Sequence, residues 1–424
     1  MPDQQYSHVT TRLKGGPPAS RTTDSSEQGQ LGNAEVAARL AAGENRAQVF
    51  DEFMAQERDE GSNGWHMSFL DRGLSASQYA DQVGDIPGRL RGDLEGGLFE
   101  GPTLPEAEPM PKRGELPKNV SDLDFLHEDI QHASIAVGAM QDGELQTRWY
   151  GREDRANDQF WSATKQVQAL SLVSLLNSKR PDLDIDDLQI REAGKDGTGM
   201  PLSDLLQDIV SYDEGIERSN AGAVTLARFR LTNEREQFVE QQTGNDLQFM
   251  GGYGFRPMYD QPEIVTCSGE IVATAPAHSG QVGPNHTSAY DLTRIMAMAT
   301  WHTHLDQDQR LPGAQWHSIE SVMRAMGEDS ARYVDAAIEK LGVEDILGDV
   351  VVATKLGHGI RDATKNAETV YSGMLQFNDL RESPSPRRTV NFTLRGVHPD
   401  PVTLDARMAA EVTEVLRRVL AGEL

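Results

Sequence analysis

The chain has 424 residues, of which 66 are Asp or Glu and 40 are Lys or Arg, a formal net charge of −26. So acidic a surface repels phosphate backbones and anionic bilayers, which excludes nucleic acid and membrane as expected partners. One cysteine, Cys267, excludes an intramolecular disulfide. The apolar fraction of 38% is low for a wholly compact chain and predicts that part of it lies outside a core.

Residues 1 to about 32 are rich in Gly, Pro, Ser, Thr and Gln and are expected to be disordered. No apolar h-region follows Met1, so no Sec-type signal peptide is read, and the expected location is either the cytoplasm or outside the cell by a non-Sec route. From Gly32 to Glu60, Val36, Leu40, Val49, Phe50 and Phe53 have helical spacing, which predicts one or two short helices. Pro102, Pro105, Pro109, Pro111 and Pro117 then read as a stiff linker. The expected organisation is an N-terminal region, 1–118, mostly disordered, partly helical and dispensable for folding, before a globular domain, 119–424.

Within that domain, Leu123 to His132 reads as a helix. Ser134–Met140 and Leu145–Tyr150 read as a hairpin around Gln141-Asp142-Gly143. Apolar residues cover most of the circumference of Val167–Leu176, which predicts an enclosed helix. Further helices are expected over Pro201–Val210, Ala221–Phe229, Ser288–Thr300 and Ile319–Met326. Leu231 to Pro284 reads as a long irregular excursion. Strands are predicted at Val350–Ala353, Thr369–Phe377 and Thr389–Val397, before a closing helix over Thr403–Leu420. Strands at both ends with helices between them predict an α+β fold: an antiparallel sheet flanked by helices, with an all-helical insertion.

One stretch carries chemistry. In Phe160-Trp161-Ser162-Ala163-Thr164-Lys165 the serine and lysine stand three apart, so on a helical turn they share a face and the amine can reach the hydroxyl. It is the one Ser-x-x-Lys of the chain, which has nine lysines. A serine needs a neighbouring base, and a lysine serves as one only where burial or a second cation lowers its pKa. A helix start with Ser162 as its N-cap would leave the same pattern.

Taken with two later motifs, this stretch resembles the serine β-lactamase and penicillin-binding protein superfamily, nearest to class A β-lactamases. Asn220-Ala221-Gly222-Ala223-Val224-Thr225-Leu226 matches the second motif from its asparagine onward, and Lys355-Leu356-Gly357, after Val350 to Thr354, matches the third. The resemblance implies Ser162 as acylated nucleophile, Lys165 as proton acceptor and Lys355 as a source of positive potential. It also implies that Asn220 orients a substrate amide and that the N–H groups of Ser162 and His358, beside Gly357, form an oxyanion hole. Strict alignment puts Arg218 where the family has a proton-shuttling hydroxyl, and the nearest hydroxyl, Ser219, is one residue late. Leu356 stands in place of a hydroxyl that helps to hold a substrate carboxylate. No Glu-x-x-Leu-Asn loop for activating a deacylating water is found, Glu263 and Glu270 being the nearest candidates. No cofactor and no metal are expected, although His302, His304 and His317 carry side chains of a metal-ligating type.

Three functions follow as expectations. The first is an acyl-serine hydrolase acting on a small-molecule or peptide amide or ester: a β-lactam, a peptidoglycan peptide or an unrelated ester. The second is a related binding protein without turnover. The third is an exported or injected effector acting on peptidoglycan. For the last, Leu31 to Leu40 faintly resembles a leader element of bacterial contractile injection cargo, which implies contact with a secretion apparatus; an amphipathic helix accounts for the same spacing.

Overall fold

The computed structural model describes residues 33–91, 104–118, 120–195, 199–246, 249, 251–277, 283, 285–383 and 385–424. Its centre is a seven-stranded sheet: β1 (Glu108–Pro109), β2 (Val120–Asp122), β3 (Ile130–Gln141), β4 (Glu144–Arg152), β5 (Leu347–Ile360), β6 (Ala367–Asp379) and β7 (Arg387–His398). The order along the sheet is β1-β4-β3-β7-β6-β5, with β2 added in parallel on β4. All the other pairings are antiparallel. The expected α+β architecture is present: β3 from the start of the domain meets β7 from its end, and the insertion between them is mostly helical but, unlike the all-helical one expected, carries a small antiparallel sheet of its own.

Side chains alternate between the two faces of this sheet, as the pleat requires. Ala136, Val351, Ala353, Val370 and Met374 point into a core shared with the insertion, whereas Ile135, Val137, Val350, Val352, Tyr371 and Leu375 point into a second core. Helix α7 (Tyr333–Leu341) and the C-terminal helix α8 (Pro401–Ala421) pack on that second face. The β3–β4 hairpin turns where expected, with Asp142 and Gly143 both at positive φ, as a tight primed turn demands.

Three expectations are corrected. Leu123 to His132 is not a helix: residues 123–129 form turns, and β3 begins at Ile130. The Arg152 guanidinium donates to the carbonyls of Leu123, Leu126, His127 and Ile130, taking oxygens that a helix would have used for itself. The stretch after Leu231 holds a helix, α6 (Thr232–Thr243), and two strands, Pro262–Thr266 and Ile271–Thr274, of a small sheet with Leu188–Glu192; residues 247, 248, 250, 278–282 and 284 lie outside the described residues.

The third concerns the boundary at residue 118, which is not where the packing divides. The two N-terminal helices, α1 (Asn33–Gly43) and α2 (Arg46–Asp59), form as expected, but Val36, Leu40, Val49 and Phe53 lie in the second core together with Met67, Phe69 and Leu70. Val83, Ile86 and Leu90 enter the first core. The proline-rich stretch is anchored as well. Its β1 pairs with β4, Met110 is buried, and Arg294 donates to the carbonyls of Pro111 and Lys112. Residues 1–32, expected to be disordered, lie outside the described residues.

Polar groups fix the N-terminal segment as firmly as apolar ones. Asp405 on α8 accepts from the N–H groups of Phe69 (2.9 Å) and Leu70 (3.4 Å) and from the Tyr333 hydroxyl. Glu57 on α2 accepts from the Ser68 N–H at 3.1 Å. Both carboxyls are fully buried, and desolvation first, then the hydrogen bond and charge of Glu57, push Asp405 well above the usual carboxylate range. Asp405 thus keeps its proton beside Glu57.

Candidate functional site

Residues 161–164 form one tight 3₁₀ turn that runs into α3 (Lys165–Lys179), an enclosed helix as its composition predicts. Trp161 enters the turn at φ 48°, a left-handed conformation rare outside glycine. Two contacts on the sheet hold it there. Its indole N–H donates to Glu368 Oε2 at 2.9 Å, and its ring covers Gly359, where a β-carbon would stand 2.5 Å from the ring. Glu368 is itself held by Arg395 at 3.1 Å and by Arg361.

Gly357 lets strand and turn approach. A β-carbon there would lie 2.7 Å from the Phe160 carbonyl, 2.8 Å from the Ala163 nitrogen and 3.2 Å from the Ser162 nitrogen. Only glycine fits such an approach. The N–H groups expected to face an oxyanion, those of Ser162 and His358, thus belong to the two backbones that meet at this contact. The His358 ring accepts or donates at Nδ1 with Thr369 Oγ1 (3.0 Å), and burial lowers its pKa to about 4, so the imidazole is neutral at pH 7.

Ser162 is half-buried, and its hydroxyl makes no hydrogen bond to Lys165. The expected direct Ser-Lys contact is therefore absent. Lys165 Nζ instead donates to Ser219 Oγ at 2.8 Å, and Ser219, fully buried, donates its own proton to the Ile209 carbonyl at 2.6 Å. The rings of Tyr212 and Tyr253 flank the amine, with centroids 5.0 and 5.5 Å away. Burial first, then the charge of Lys355, lower the Lys165 pKa well below 10.5, against a smaller opposing effect of Asp329. This amine has one polar contact and no carboxylate within salt-bridge distance, which favours a neutral nitrogen with a free lone pair.

Helices α4 (Leu202–Ser211) and α5 (Ile216–Ala227) bring the second motif to the site. Arg218 turns away and pairs with Asp208 at 2.9 Å, a different carboxylate from the neighbours in sequence. Asn220 is buried, and its Oδ1 accepts no hydrogen bond. A buried acceptor without a donor costs about 1–3 kcal/mol, so the atom is poised for an incoming N–H.

Lys355, also fully buried, is surrounded by acceptors. It donates to the Tyr212 hydroxyl at 2.8 Å, to the Leu356 carbonyl at 3.2 Å and to the Val210 carbonyl at 3.5 Å, and pairs with Asp329 at 3.6 Å. Asp329 accepts from Thr354 Oγ1 at 3.1 Å. Desolvation raises its pKa, with Lys355 the chief opposing influence.

Sequence reasoning missed Tyr212, Tyr253 and Asp329. None stands within a recognisable spacing of its partner: Tyr212 and Lys355 are 143 residues apart. Glu263 and Glu270, the nearest candidates for water activation, are engaged elsewhere, Glu263 in a part-buried pair with Arg191 (2.8 Å) and Glu270 in an exposed pair with Arg180 (2.7 Å). His302, His304 and His317 do not converge on a metal site either. His302 stacks on Trp316 and His317 bonds the Leu183 carbonyl, and no cluster of three metal-ligating side chains occurs among the described residues. Cys267 is exposed, and no helix among the described residues is long and apolar enough to cross a membrane.

No family model matches the chain, and no curated protein does. Among solved structures it is similar to a class A β-lactamase from Mycobacterium abscessus, at 14% identity and a TM-score of 0.39, covering 70% of this chain and 97% of that one. It is also similar to a β-lactamase from Chitinophaga pinensis DSM 2588, at 14% identity and a TM-score of 0.39, over 68% and 93% of the two chains. A third is the C-terminal domain of the Bacillus licheniformis BlaR penicillin-receptor, at 10% identity and a TM-score of 0.37, over 71% and 97%. In this chain the sheet is joined at β3 and β7, strands from the two ends of the domain. At such overlap and identity no chemistry is carried across, and the reading of the site rests on its side chains.

Proposed function

We propose that the protein is an acyl-serine hydrolase, with Ser162 as nucleophile and Lys165 as the base that takes its proton. The observation that carries this is the state of Lys165: three residues after Ser162, fully buried, without a carboxylate partner, and with its pKa lowered by burial and by Lys355. Apo hydrogen bonds of catalytic groups are often long, so the absence of a Ser162–Lys165 bond does not oppose it. Lys355 supports the site by its charge, and Asn220 offers an acceptor to a substrate N–H.

The substrate is read as an ester or amide that is neutral where it meets Lys355. The hydrogen bonds of that ammonium go to three protein oxygens, and the Arg218 charge is paired with Asp208, so neither offers a free anchor to a carboxylate. A specific observation favours slow release of the acyl group: no carboxylate is hydrogen-bonded to Ser162 or Lys165 among the described residues, and Glu263 and Glu270 are held in ion pairs elsewhere.

Intact-protein mass spectrometry tests both points. After incubation with 4-nitrophenyl acetate, the wild type gains one acyl group and Ser162→Ala gains none; a penicillin labels more slowly. An adduct on the variant, or none on the wild type, overturns the proposal, and the lifetime of the adduct separates turnover from capture.

A further inference from the structure

Expelling a leaving group requires a proton at the far side of the scissile bond, and the hydroxyl expected to deliver it, that of Ser219, is badly placed to do so. It has no exposure to solvent, and its proton is directed at the Ile209 carbonyl 2.6 Å away. Another hydroxyl occupies the site. Tyr212 follows α4 in a left-handed conformation (φ 61°, ψ 13°), which turns its side chain back under β5. Its ring lies between the two lysines, 5.0 Å from Lys165 Nζ and 4.0 Å from Lys355 Nζ. Its oxygen accepts from Lys355 at 2.8 Å and donates to the Leu356 carbonyl at 3.3 Å, a long bond that is easily exchanged. Unlike Ser219 the residue is only half-buried, so a bound substrate can reach it.

We infer that Tyr212 is a catalytic residue, the general acid that protonates the leaving group during acylation of Ser162. The inference rests on the acyl-serine reading. Ser162 Oγ bonds to the carbonyl carbon while its proton passes to the neutral Lys165 amine. As the carbon–oxygen bond to the leaving group breaks, the alkoxide takes the Tyr212 proton and departs as an alcohol. The phenolate left behind is stabilised by the Lys355 ammonium, and the proton held by Lys165 returns to it. The sum is serine plus ester giving acyl-serine plus alcohol, with no further reactant.

A general acid matters in proportion to the basicity of what it expels, whereas a structural side chain does not. The test is the rate of Ser162 acylation, read by intact mass, with 4-nitrophenyl acetate, whose phenoxide leaves unaided, and with benzyl acetate, whose alkoxide does not. Tyr212→Phe keeps the ring and removes the hydroxyl. Its expected rate with the benzyl ester falls by about 100-fold, within the usual range for a general acid, while that with the nitrophenyl ester falls by less than about threefold. Retained nitrophenyl labelling also shows that the variant is folded. Ser219→Ala, which removes the acceptor of Lys165, slows both esters alike. Equal effects of Tyr212→Phe on both esters, or none on either, overturn the role of Tyr212 while Ser162 labelling leaves the acyl-serine reading standing. A wild type that labels with neither ester overturns both.

Discussion

Two buried places in this molecule treat an ionisable group in the same way and draw opposite uses from it. At the site, Lys165 is enclosed and burial drives the amine towards its neutral form. Beneath the N-terminal segment, Asp405 is enclosed and burial drives the acid towards its neutral form. Desolvation sets the direction in both, and the neighbours set the outcome. Lys165 has a second cation near it and a single hydroxyl partner, so its lone pair is left for chemistry. Asp405 has a second acid and three donors around it, so its proton and its oxygens are all used to hold chain segments together. Reactivity comes from leaving one valence unsatisfied, and adhesion from filling them all.

The largest expected effect follows removal of the N-terminal segment. A fragment beginning at residue 120 exposes the partners of Phe53, Phe69, Leu70 and Ile86, each such side chain contributing about 1.5–3 kcal/mol. Their sum is comparable with the 5–15 kcal/mol of a whole domain. The fragment is expected to lose cooperative thermal unfolding by calorimetry; a sharp transition near that of the full chain would show the dock to be dispensable.

At the site, Lys165→Met keeps the volume and removes the lone pair. Labelling of Ser162 by 4-nitrophenyl acetate is expected to slow by about 10²–10⁴-fold, the usual value of a general base, with little change in melting temperature. A variant that labels at the wild-type rate would mean that another group accepts the proton.

The pH dependence of that labelling sharpens the point. The rate requires neutral Lys165, so it rises with pH and levels off once the amine is deprotonated, well below pH 10.5. Asp329 acts to raise the Lys165 pKa, so Asp329→Asn is expected to move the midpoint lower. A midpoint that stays put or moves up in the variant would contradict the electrostatic account.

The smallest effect lies at Asp405. Because its folded pKa is raised, the native state keeps a proton that the unfolded chain releases near pH 4, so this contribution to stability is complete below about pH 4 and is lost as pH rises through the folded value. Asp405→Asn cannot ionise and still offers an oxygen to the Phe69 N–H. Urea unfolding is expected to show a change of less than about 1 kcal/mol near pH 5 and a variant that gains on the wild type towards pH 8. Parallel curves across that range would show that the acid is ionised throughout.

Much of this was legible in the chain itself. Runs rich in β-branched and aromatic residues gave the strands around Val350–Ala353, Thr369–Phe377 and Thr389–Val397, an all-round apolar run gave the enclosed helix over Val167–Leu176, and amphipathic spacing gave Thr403–Leu420, because each of these patterns is complete within a few residues. The spacing of Ser162 and Lys165 and the glycine at 357 were readable for the same reason. The tertiary structure alone decided the rest. It sent Arg218 to Asp208, turned the Ser219 proton towards Ile209, placed Tyr212 between two lysines and set Asp329 behind Lys355. It also drew α1 and α2 into a core that they share with residues as distant as Tyr333 and Leu420. Local patterns record which face of an element is buried, but the partner of a buried charge is chosen by the docking of distant segments, and no short spacing in the sequence stores that choice.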